Sequence, residues 1–337
     1  MLILAIESSC DETAAAVVQD GRILISSVVS SQVVHHKNYG GVVPEIASRK
    51  HIEVISKVTN LALEKANVKI KDIDALSVTY TPGLVGSLLV GVNFVKGMAI
   101  ASKLPIIPVD HLKAHIAANY LEFKNLEPPF LGVVASGGHT SIFNVQSYTD
   151  FTLIGNTLDD AIGETFDKVA RSLGFPYPGG VHLDKIAELG NDNAYQFTIP
   201  KIKGEDFNLS YSGLKTSVIN LINKLKMKNK AINKEDLAAS FRKVAVKNLT
   251  DKVVKAVRNL NLHNVVVSGG AASNLLIRRE LKKESIKNTF SLYIPSPELC
   301  SDNAAMIGAQ GYFEFKNGTR ADLTLNAEFR GKYSSRA

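Results

Sequence analysis

His111 and His115 stand four residues apart in the run VDHLKAHIAANY. On a helix that spacing puts both imidazoles on one face, and two rings so placed can share a metal ion. Such a pair is by itself more often solvated or packed than ligating, so the rest of the chain must supply context. Asp302, in the segment Ser301–Ala304 (SDNA), is the candidate third ligand. Two imidazoles and one carboxylate leave coordination positions open for a substrate, as a catalytic site requires. A zinc peptidase would instead carry HExxH, whose glutamate acts as general base. Here Leu112 and Lys113 follow His111, and that base is missing. Cys10 lies near Glu12 with no evident base beside it, and reads as a small buried hydrophobe rather than a nucleophile.

Three glycine turns follow apolar strands. Ser136-Gly137-Gly138-His139-Thr140 sits inside an expected hairpin, where glycines let backbone N–H groups approach an anion. Ser268-Gly269-Gly270 leads to Asn274 at a helix start, and Pro82-Gly83-Leu84-Val85-Gly86-Ser87 does the same earlier. None of them fits GxxxxGK[ST] or GxGxxG, which excludes the P-loop and Rossmann classes. Together they point to a nucleotide cleft.

The elements that must position these residues alternate between strand and helix. LILAIES, AAAVVQDG and ILISSVVSS read as three strands, residues 41–66 as a helix, and DALSVTY as a short buried strand. TPGLVGSLLVGVNFVKGMAIASK is a turn running into an apolar helix, and the strand LPIIPVD delivers the histidine pair. The pattern then restarts: LGVVASGGHTSIFNV, residues 131–145, resembles LILAIESSCDETAAAVV, residues 2–18. FTLIGNT, the helix DDAIGETFDKVARSLG, the loop FPYPGG, HNVVVSGGAASNLLIRREL, SLYIPSP and the last helix SDNAAMIGAQGYFEF follow. This predicts an α/β fold of two duplicated lobes around a central cleft. Lobe I is expected at 1–108, completed by 303–337, and lobe II at 109–302.

Composition is that of an ordinary globular protein: 337 residues, 45% hydrophobic and 21% charged. The start MLILAIESSCDET has no basic region before its apolar run, so no signal peptide is expected. No apolar run is expected to reach the roughly 18 residues that span a bilayer, so no membrane contact is expected. Two distant cysteines without CxxC spacing suggest a reducing cytoplasm. The net charge of +7 is uneven: residues 211–290 hold 17 Lys and Arg against 5 Asp and Glu. That block, from Lys215 to Lys287, is the electrostatic footprint of a polyanion binder. It lacks interleaved aromatics, so backbone-phosphate contact on folded nucleic acid is expected, with Arg278, Arg279, Lys282 and Lys283 in it.

The motifs IESSCDET, GGVVPEIASRKH, TPGLVGSLLVG, HLKAH, ASGGHT, GETFDKVARSLG, YPGG, SYSGLKT, VSGGAASN and CSDNAAMIGAQG occur in this order over nearly the whole chain. In them the sequence resembles the tRNA threonylcarbamoyladenosine transferases, a family once mistaken for O-sialoglycoprotein endopeptidases. The resemblance implies an actin-like, sugar-kinase-like (ASKHA) two-lobed fold. It implies transfer of the threonylcarbamoyl group of threonylcarbamoyl-adenylate to the exocyclic amine of the adenosine 3′ of a tRNA anticodon, releasing AMP. It makes His111, His115 and Asp302 ligands of one divalent metal ion, iron before zinc. Val134, Ala135, Ser136, Gly137 and Gly138 match the loop that holds the activated substrate; Asp167, Gly180, Asp184 and Asn274 match positions that hold its nucleotide part. It implies a paralogous partner subunit and a small ATPase, and this chain, with all three ligands, resembles the catalytic member.

Three positions depart from the family's pattern. Lys113 stands where Glu is general, Asp110 where Asn or His is usual, and Val181-His182-Leu183 follow YPGG where Pro is normal. Lys113 is expected to alter the metal's surroundings. For the mechanism, the metal would orient or polarise the donor carbonyl, and the amides of Ser136, Gly137 and Gly138 would cradle phosphate or carboxylate. Asp167 and Asp184 would accept ribose hydroxyls. Asp11 and Glu12 are the candidate proton acceptors. An ATP-dependent kinase or ATPase of the same fold, and a non-catalytic scaffold of a tRNA-modifying complex, remain alternatives.

Overall fold

The repeat read from the sequence reappears as strand order. A computed structural model describes residues 1–199, 202, 207–331 and 333–335. The first sheet contains β1 (Leu2–Glu7), β2 (Glu12–Gln19), β3 (Ile23–Ser31), β4 (Ala75–Thr81) and β5 (Ile106–Asp110), in the order β3-β2-β1-β4-β5. The second contains β6 (Phe130–Ala135), β7 (Thr140–Val145), β8 (Phe151–Asn156), β9 (Asn264–Ser268), β10 (Ser291–Tyr293) and the short β11 (Ser334–Ser335). Its order is β10-β9-β6-β7-β8-β11. Counted from its first strand, each sheet places the next two strands on one side and the later two on the other. The β1–β4, β4–β5, β6–β9 and β9–β10 pairs are all parallel. The duplicated α/β fold is thus a property of the backbone.

The first unit comprises Met1–Pro128, Val145–Phe151 and Pro295–Ser334. Its helices are α1 (Val33–His36), α2 (Pro44–Ala66), α3 (Val85–Ser102), α4 (His111–Glu122), α10 (Pro297–Cys300) and α11 (Ala304–Lys316). Five of the six residues of β1 are buried, as befits a central strand covered on both faces. The core on one side runs through Leu4, Ile6, Val17, Ile55, Val58, Leu76, Val92 and Val95.

The second unit comprises Pro129–Asn144, Thr152–Ile294 and Ser335–Ala337. Its helices are α5 (Ile162–Ser172), α6 (Gly179–Ala187), α7 (Ser212–Met227), α8 (Lys234–Leu260) and α9 (Leu275–Asn288). Its parallel strands are continuous apolar runs, with Val133, Val134, Val265, Val266 and Val267 fully buried.

Three expectations change. The boundary expected between 108 and 109 lies after Pro128, and the chain returns to the first unit at Pro295 rather than 303. The cause is packing: α4 lies along α11 and touches α10, so the histidine helix joins the unit of the last helix. Second, α3 is an 18-residue helix long and apolar enough to cross a membrane by length and composition, contrary to the expected absence of such a run. It packs on α2 and β4, burying Leu88, Gly91, Val92, Val95 and Ala99. Third, α5 begins at Ile162, later than the expected start at Asp159. The Asp159 carboxylate instead accepts from Ser210 and Ser212 hydroxyls (both 2.6 Å) and from the Tyr211 amide (2.8 Å).

Candidate metal centre and substrate loop

The histidine helix starts where β5 ends. Asp110 is its N-cap: one carboxylate oxygen accepts from the amides of Leu112 (2.8 Å) and Lys113 (3.1 Å), two donors left unpaired by the helix itself. His111 and His115 then face the same way, with ring centroids 4.6 Å apart and planes at 76°. Asp302 comes from the turn before α11. Asn303 fixes that turn, its Nδ2 donating to the Ser301 carbonyl (2.7 Å) and its Oδ1 capping Met306 N (2.9 Å). Asp302 Oδ1 lies 3.6 Å from His111 Nε2 and 3.2 Å from His115 Nε2. One ligand atom from each residue thus falls within 4.8 Å of the others. All three belong to the first unit.

Neither ring nitrogen of the fully buried His115 makes a hydrogen bond. Buried polar atoms are ordinarily paired, and here, among the described residues, only the Asp302 carboxylate faces Nε2, so this imidazole fits a metal-ligand position. Burial and the neighbouring His111 push its pKa down, which keeps it neutral and able to ligate. His111 is held from behind by residues the sequence reading missed. Its Nδ1 lies 3.1 Å from Glu7 Oε2 and 3.2 Å from Ser9 Oγ. Glu7, fully buried at the end of β1, also accepts from Thr79 Oγ1 (2.6 Å) and the Ser9 amide. Burial alone would depress His111 and raise Glu7. Their mutual attraction outweighs it, carrying His111 up to about 9 and Glu7 below its ordinary range. The one cue to Glu7 was a carboxylate ending an apolar strand, since buried charge demands a partner.

Lys113, expected to alter the metal's surroundings, directs its charge to partners of its own. Its ammonium donates to the Thr149 carbonyl (3.1 Å), lies 3.9 Å from Glu314 and sits over the Phe151 ring. Of the candidate proton acceptors, Glu12 is pushed up to about 9 by burial, then by Asp11 and Asp302, and so holds its proton at neutral pH. Burial, Asp11 and Asp302 likewise raise the Cys10 thiol well above its usual value, which removes its nucleophilic form. The Pro82–Ser87 turn is filled by packing, with the Leu84 amide on the Ser9 carbonyl (2.8 Å).

In the second unit Val134 and Ala135 are fully buried strand residues. Ser136 is buried too, and its amide donates to the His139 carbonyl (2.8 Å), so the amide expected to cradle an anion is already used. The carbonyls of Ser136 and Gly137 accept from Gly163 (3.2 Å) and Glu164 (3.1 Å), which closes the loop onto the start of α5. Gly137 and Gly138 remain exposed, with nothing within 4 Å of where a side chain would project.

Asp167 Oδ1 accepts from the Gly180 amide (2.7 Å), bringing those two expected residues together. Asp184 and Asn274 are also joined, Asn274 Nδ2 donating to Asp184 Oδ1 (2.7 Å). Asp184 further accepts from the buried Arg242 (2.7 Å) and from the Leu275 amide (3.0 Å), while Asn274 Oδ1 caps α9 through Leu276 and Ile277 (both 3.0 Å). These bonds occupy most of the carboxylate's accepting capacity. Arg242 was missed; a lone cation inside the apolar stretch AASFRKVAV was its signal.

A family model described as TsaD: tRNA N6-adenosine threonylcarbamoyltransferase matches residues 23–309. The chain belongs to this family. Proteins named tRNA N6-adenosine threonylcarbamoyltransferase are similar to it over nearly their whole length. That of Clostridium novyi (strain NT) is 52% identical over 326 residues, covering 96% of each chain. That of Clostridium beijerinckii (strain ATCC 51743 / NCIMB 8052) is 49% identical over 327 residues, covering 97% of this chain and 96% of that one. Among solved structures, full-length HypF in its phosphate- and nucleotide-bound form aligns with a TM-score of 0.60 at 17% identity, over 94% of this chain and 55% of that one. An activator of 2-hydroxyisocaproyl-CoA dehydratase from Clostridium difficile with bound ADPNP aligns with 0.53 at 14% identity, over 94% and 97%. At such identities the likeness shows the fold, which is the two-lobed ASKHA type. The structure gives both Asp110 and Lys113 partners within the first unit.

Proposed function

We propose that this member of the tRNA N6-adenosine threonylcarbamoyltransferase family moves the threonylcarbamoyl group of threonylcarbamoyl-adenylate onto the exocyclic amine of the adenosine 3′ of a tRNA anticodon. The amine nitrogen bonds to the carbonyl carbon of the mixed anhydride, the carbon–oxygen bond to AMP breaks, and the amine gives up one proton. The observation that carries the reading is the meeting of His111, His115 and Asp302 in a chain of this family.

His111, His115 and Asp302 would hold one divalent ion; two imidazoles and a carboxylate favour iron(II), with zinc the alternative. Such an ion, when bound, supplies Lewis-acid polarisation of substrate oxygens. Glu7 would keep the Nδ1 proton of His111 in place, so that when metal binding displaces the Nε2 proton the lone pair faces Asp302. The amides of Gly137 and Gly138, rather than that of Ser136, would receive phosphate or carboxylate oxygens. Asp167 and Gly180 shape the nucleotide site together. Asp184 and Asn274 hold the start of α9 for it. Glu12 retains its proton, so Asp11 is the carboxylate left to accept the proton of the amine.

The tRNA is proposed to lie against the Lys215–Lys287 block through its phosphates. A paralogous subunit and a small ATPase are proposed as working partners, and the cytoplasm as the setting, supported by two distant cysteines without CxxC spacing. The test is reconstitution with tRNA, threonine-labelled threonylcarbamoyl-adenylate and the candidate partners, followed by nucleoside analysis. Labelled threonylcarbamoyladenosine is expected with the intact chain and not with His111→Ala/His115→Ala. Equal product from that double variant would sink the assignment.

A further inference from the structure

The chain after α11 runs along β5 from its start to its end. The Ala321 amide donates to the Ile106 carbonyl (2.9 Å), in an isolated antiparallel bridge to the first residue of β5. Further on, the Glu328 amide donates to the carbonyl of Tyr80 near the end of β4 (2.9 Å). Finally the Tyr333 hydroxyl reaches Asp110, the last residue of β5 and the N-cap of α4, at 2.8 Å from Oδ2 and 3.0 Å from Oδ1. Gly331 leaves room for this last contact. A Cβ there would press on the Tyr333 hydroxyl and come within 2.8 Å of Asp110 Oδ2.

The two oxygens of Asp110 divide the work. Oδ1 accepts from the amides of Leu112 and Lys113 and so fixes the first turn of α4. Among the described residues, Oδ2 has only the Tyr333 hydroxyl as donor. Asp110 is buried, with 8% of its surface exposed, so without that hydroxyl an ionised oxygen would be left without a partner. The carboxyl would then turn toward another donor, and that rotation loosens the two cap bonds. His111 is the first residue of the helix so capped.

We propose that Tyr333 is a positioning residue for His111. Its hydroxyl holds the Asp110 cap, the cap holds the first turn of α4, and that turn aims the imidazole at Asp302. The proposal rests on the reading of His111, His115 and Asp302 as a metal site.

The test uses Tyr333→Phe, which removes one oxygen and keeps the ring, in the full chain with Co²⁺ as the probe. Two quantities are read: the Co²⁺ dissociation constant with its visible absorption, and hydrogen exchange at the Leu112 and Lys113 amides of the metal-free protein. Tyr333→Phe is expected to weaken Co²⁺ binding about tenfold, the low end for loss of a group supporting a ligand, and to speed exchange at both amides. Adding Asp110→Asn should rescue both, because the Asn carbonyl still caps the helix and no ionised oxygen is stranded. Unchanged values in Tyr333→Phe would overturn the proposal. So would faster exchange with unchanged Co²⁺ affinity, which confines Tyr333 to stability, or a double variant as defective as the single one. Should the unaltered chain bind no Co²⁺, the metal reading fails, and exchange at the two amides alone decides whether Tyr333 holds the cap.

Discussion

Glu7 Oε2 sits 3.1 Å from His111 Nδ1, while the other nitrogen of the same ring is 3.6 Å from Asp302. The ring is therefore gripped by one carboxylate and offered toward another. Glu7 can do this because Thr79 and the Ser9 amide occupy its remaining acceptor positions. A glutamine here has one carbonyl oxygen for three donors and leaves at least one unmatched. Glu7→Gln is expected to weaken metal binding by about 10–100-fold, the usual scale for such supports. The His111 titration should fall toward its ordinary value. Metal titration and imidazole NMR measure the two; an unchanged affinity would show that Glu7 has no hold on the ligand.

The His111–Glu7 pair also sets the pH response. In the metal-free protein His111 titrates at about 9 against 6.5 in the unfolded chain. A raised pKa stabilises the fold fully below 6.5, and that contribution is lost as pH rises to about 9. Metal binding runs the opposite way, since the ion needs the neutral ring. The depressed His115 adds no proton of its own across this interval. Metal affinity should therefore rise about tenfold per pH unit, one proton's worth, and level off above 9. Unfolding midpoints of the metal-free protein and metal titrations from pH 6.5 to 9.5 check both. Flat affinity between pH 7 and 9 would refute the single-proton linkage.

The duplication was legible because residues 131–145 echo 2–18, and an apolar strand, polar turn and apolar strand carry their pattern locally. The histidine pair was legible for the same reason: i and i+4 share a helix face wherever the helix goes. What escaped was long-range. Asp302 could be offered from the segment SDNA as a candidate carboxylate, but no periodicity links it to α4. The unit boundary was misplaced because the partner of α4 is α11, near the far end of the chain. Ser136 looked like an open amide in a glycine turn until the return of the chain at His139 showed its acceptor.

Asp184 holds the start of α9 to α8 and therefore bears on stability as well as on the proposed nucleotide site. Arg242, 4% exposed, donates to both its carboxylate and its backbone carbonyl and also meets Glu188 at 2.6 Å. Arg242→Met keeps the length and removes the charge, leaving Asp184 with the Asn274 and Leu275 donors and Glu188 with Arg279. Breaking a buried pair from one side costs about 3–5 kcal/mol, and the part-exposed Glu188 places the expectation at about 3. Adding Asp184→Asn should recover part of the loss. Chemical denaturation measures both, and a loss under about 1 kcal/mol would mean that solvent already screens the pair.

Gly163 lets α5 close on the substrate loop. Its amide donates to the Ser136 carbonyl, and a Cβ would lie 2.9 Å from Gly137 Cα, a backbone atom that cannot swing aside. Gly163→Ala should displace the loop while leaving the metal ligands, which belong to the other unit, as they are. Nucleotide binding is expected to weaken by about tenfold, the effect of losing about 1.4 kcal/mol, with metal affinity unchanged. Equal nucleotide affinity in the variant would remove the loop from the binding site.

The basic face of α9 needs a sharper test than reversing all its cations. Arg279 makes a bidentate pair with Glu188, and Arg278 Nε donates to the Ala272 carbonyl, so both arginines also hold the fold. Lys282, Lys283 and Lys287 are exposed, and of these, among the described residues, only Lys283 comes near a carboxylate, 3.7 Å from Glu280. Their replacement by glutamate should leave stability within about 0.5 kcal/mol. If the three lysines each displace a counterion from a duplex stem, the slope of log affinity against log salt shrinks by about 2.7, at about 0.9 per contact. Filter binding of tRNA across a salt series reads the slope directly. A slope equal to that of the unaltered chain would move the RNA off this helix, because non-specific phosphate contact has no other way to register these charges.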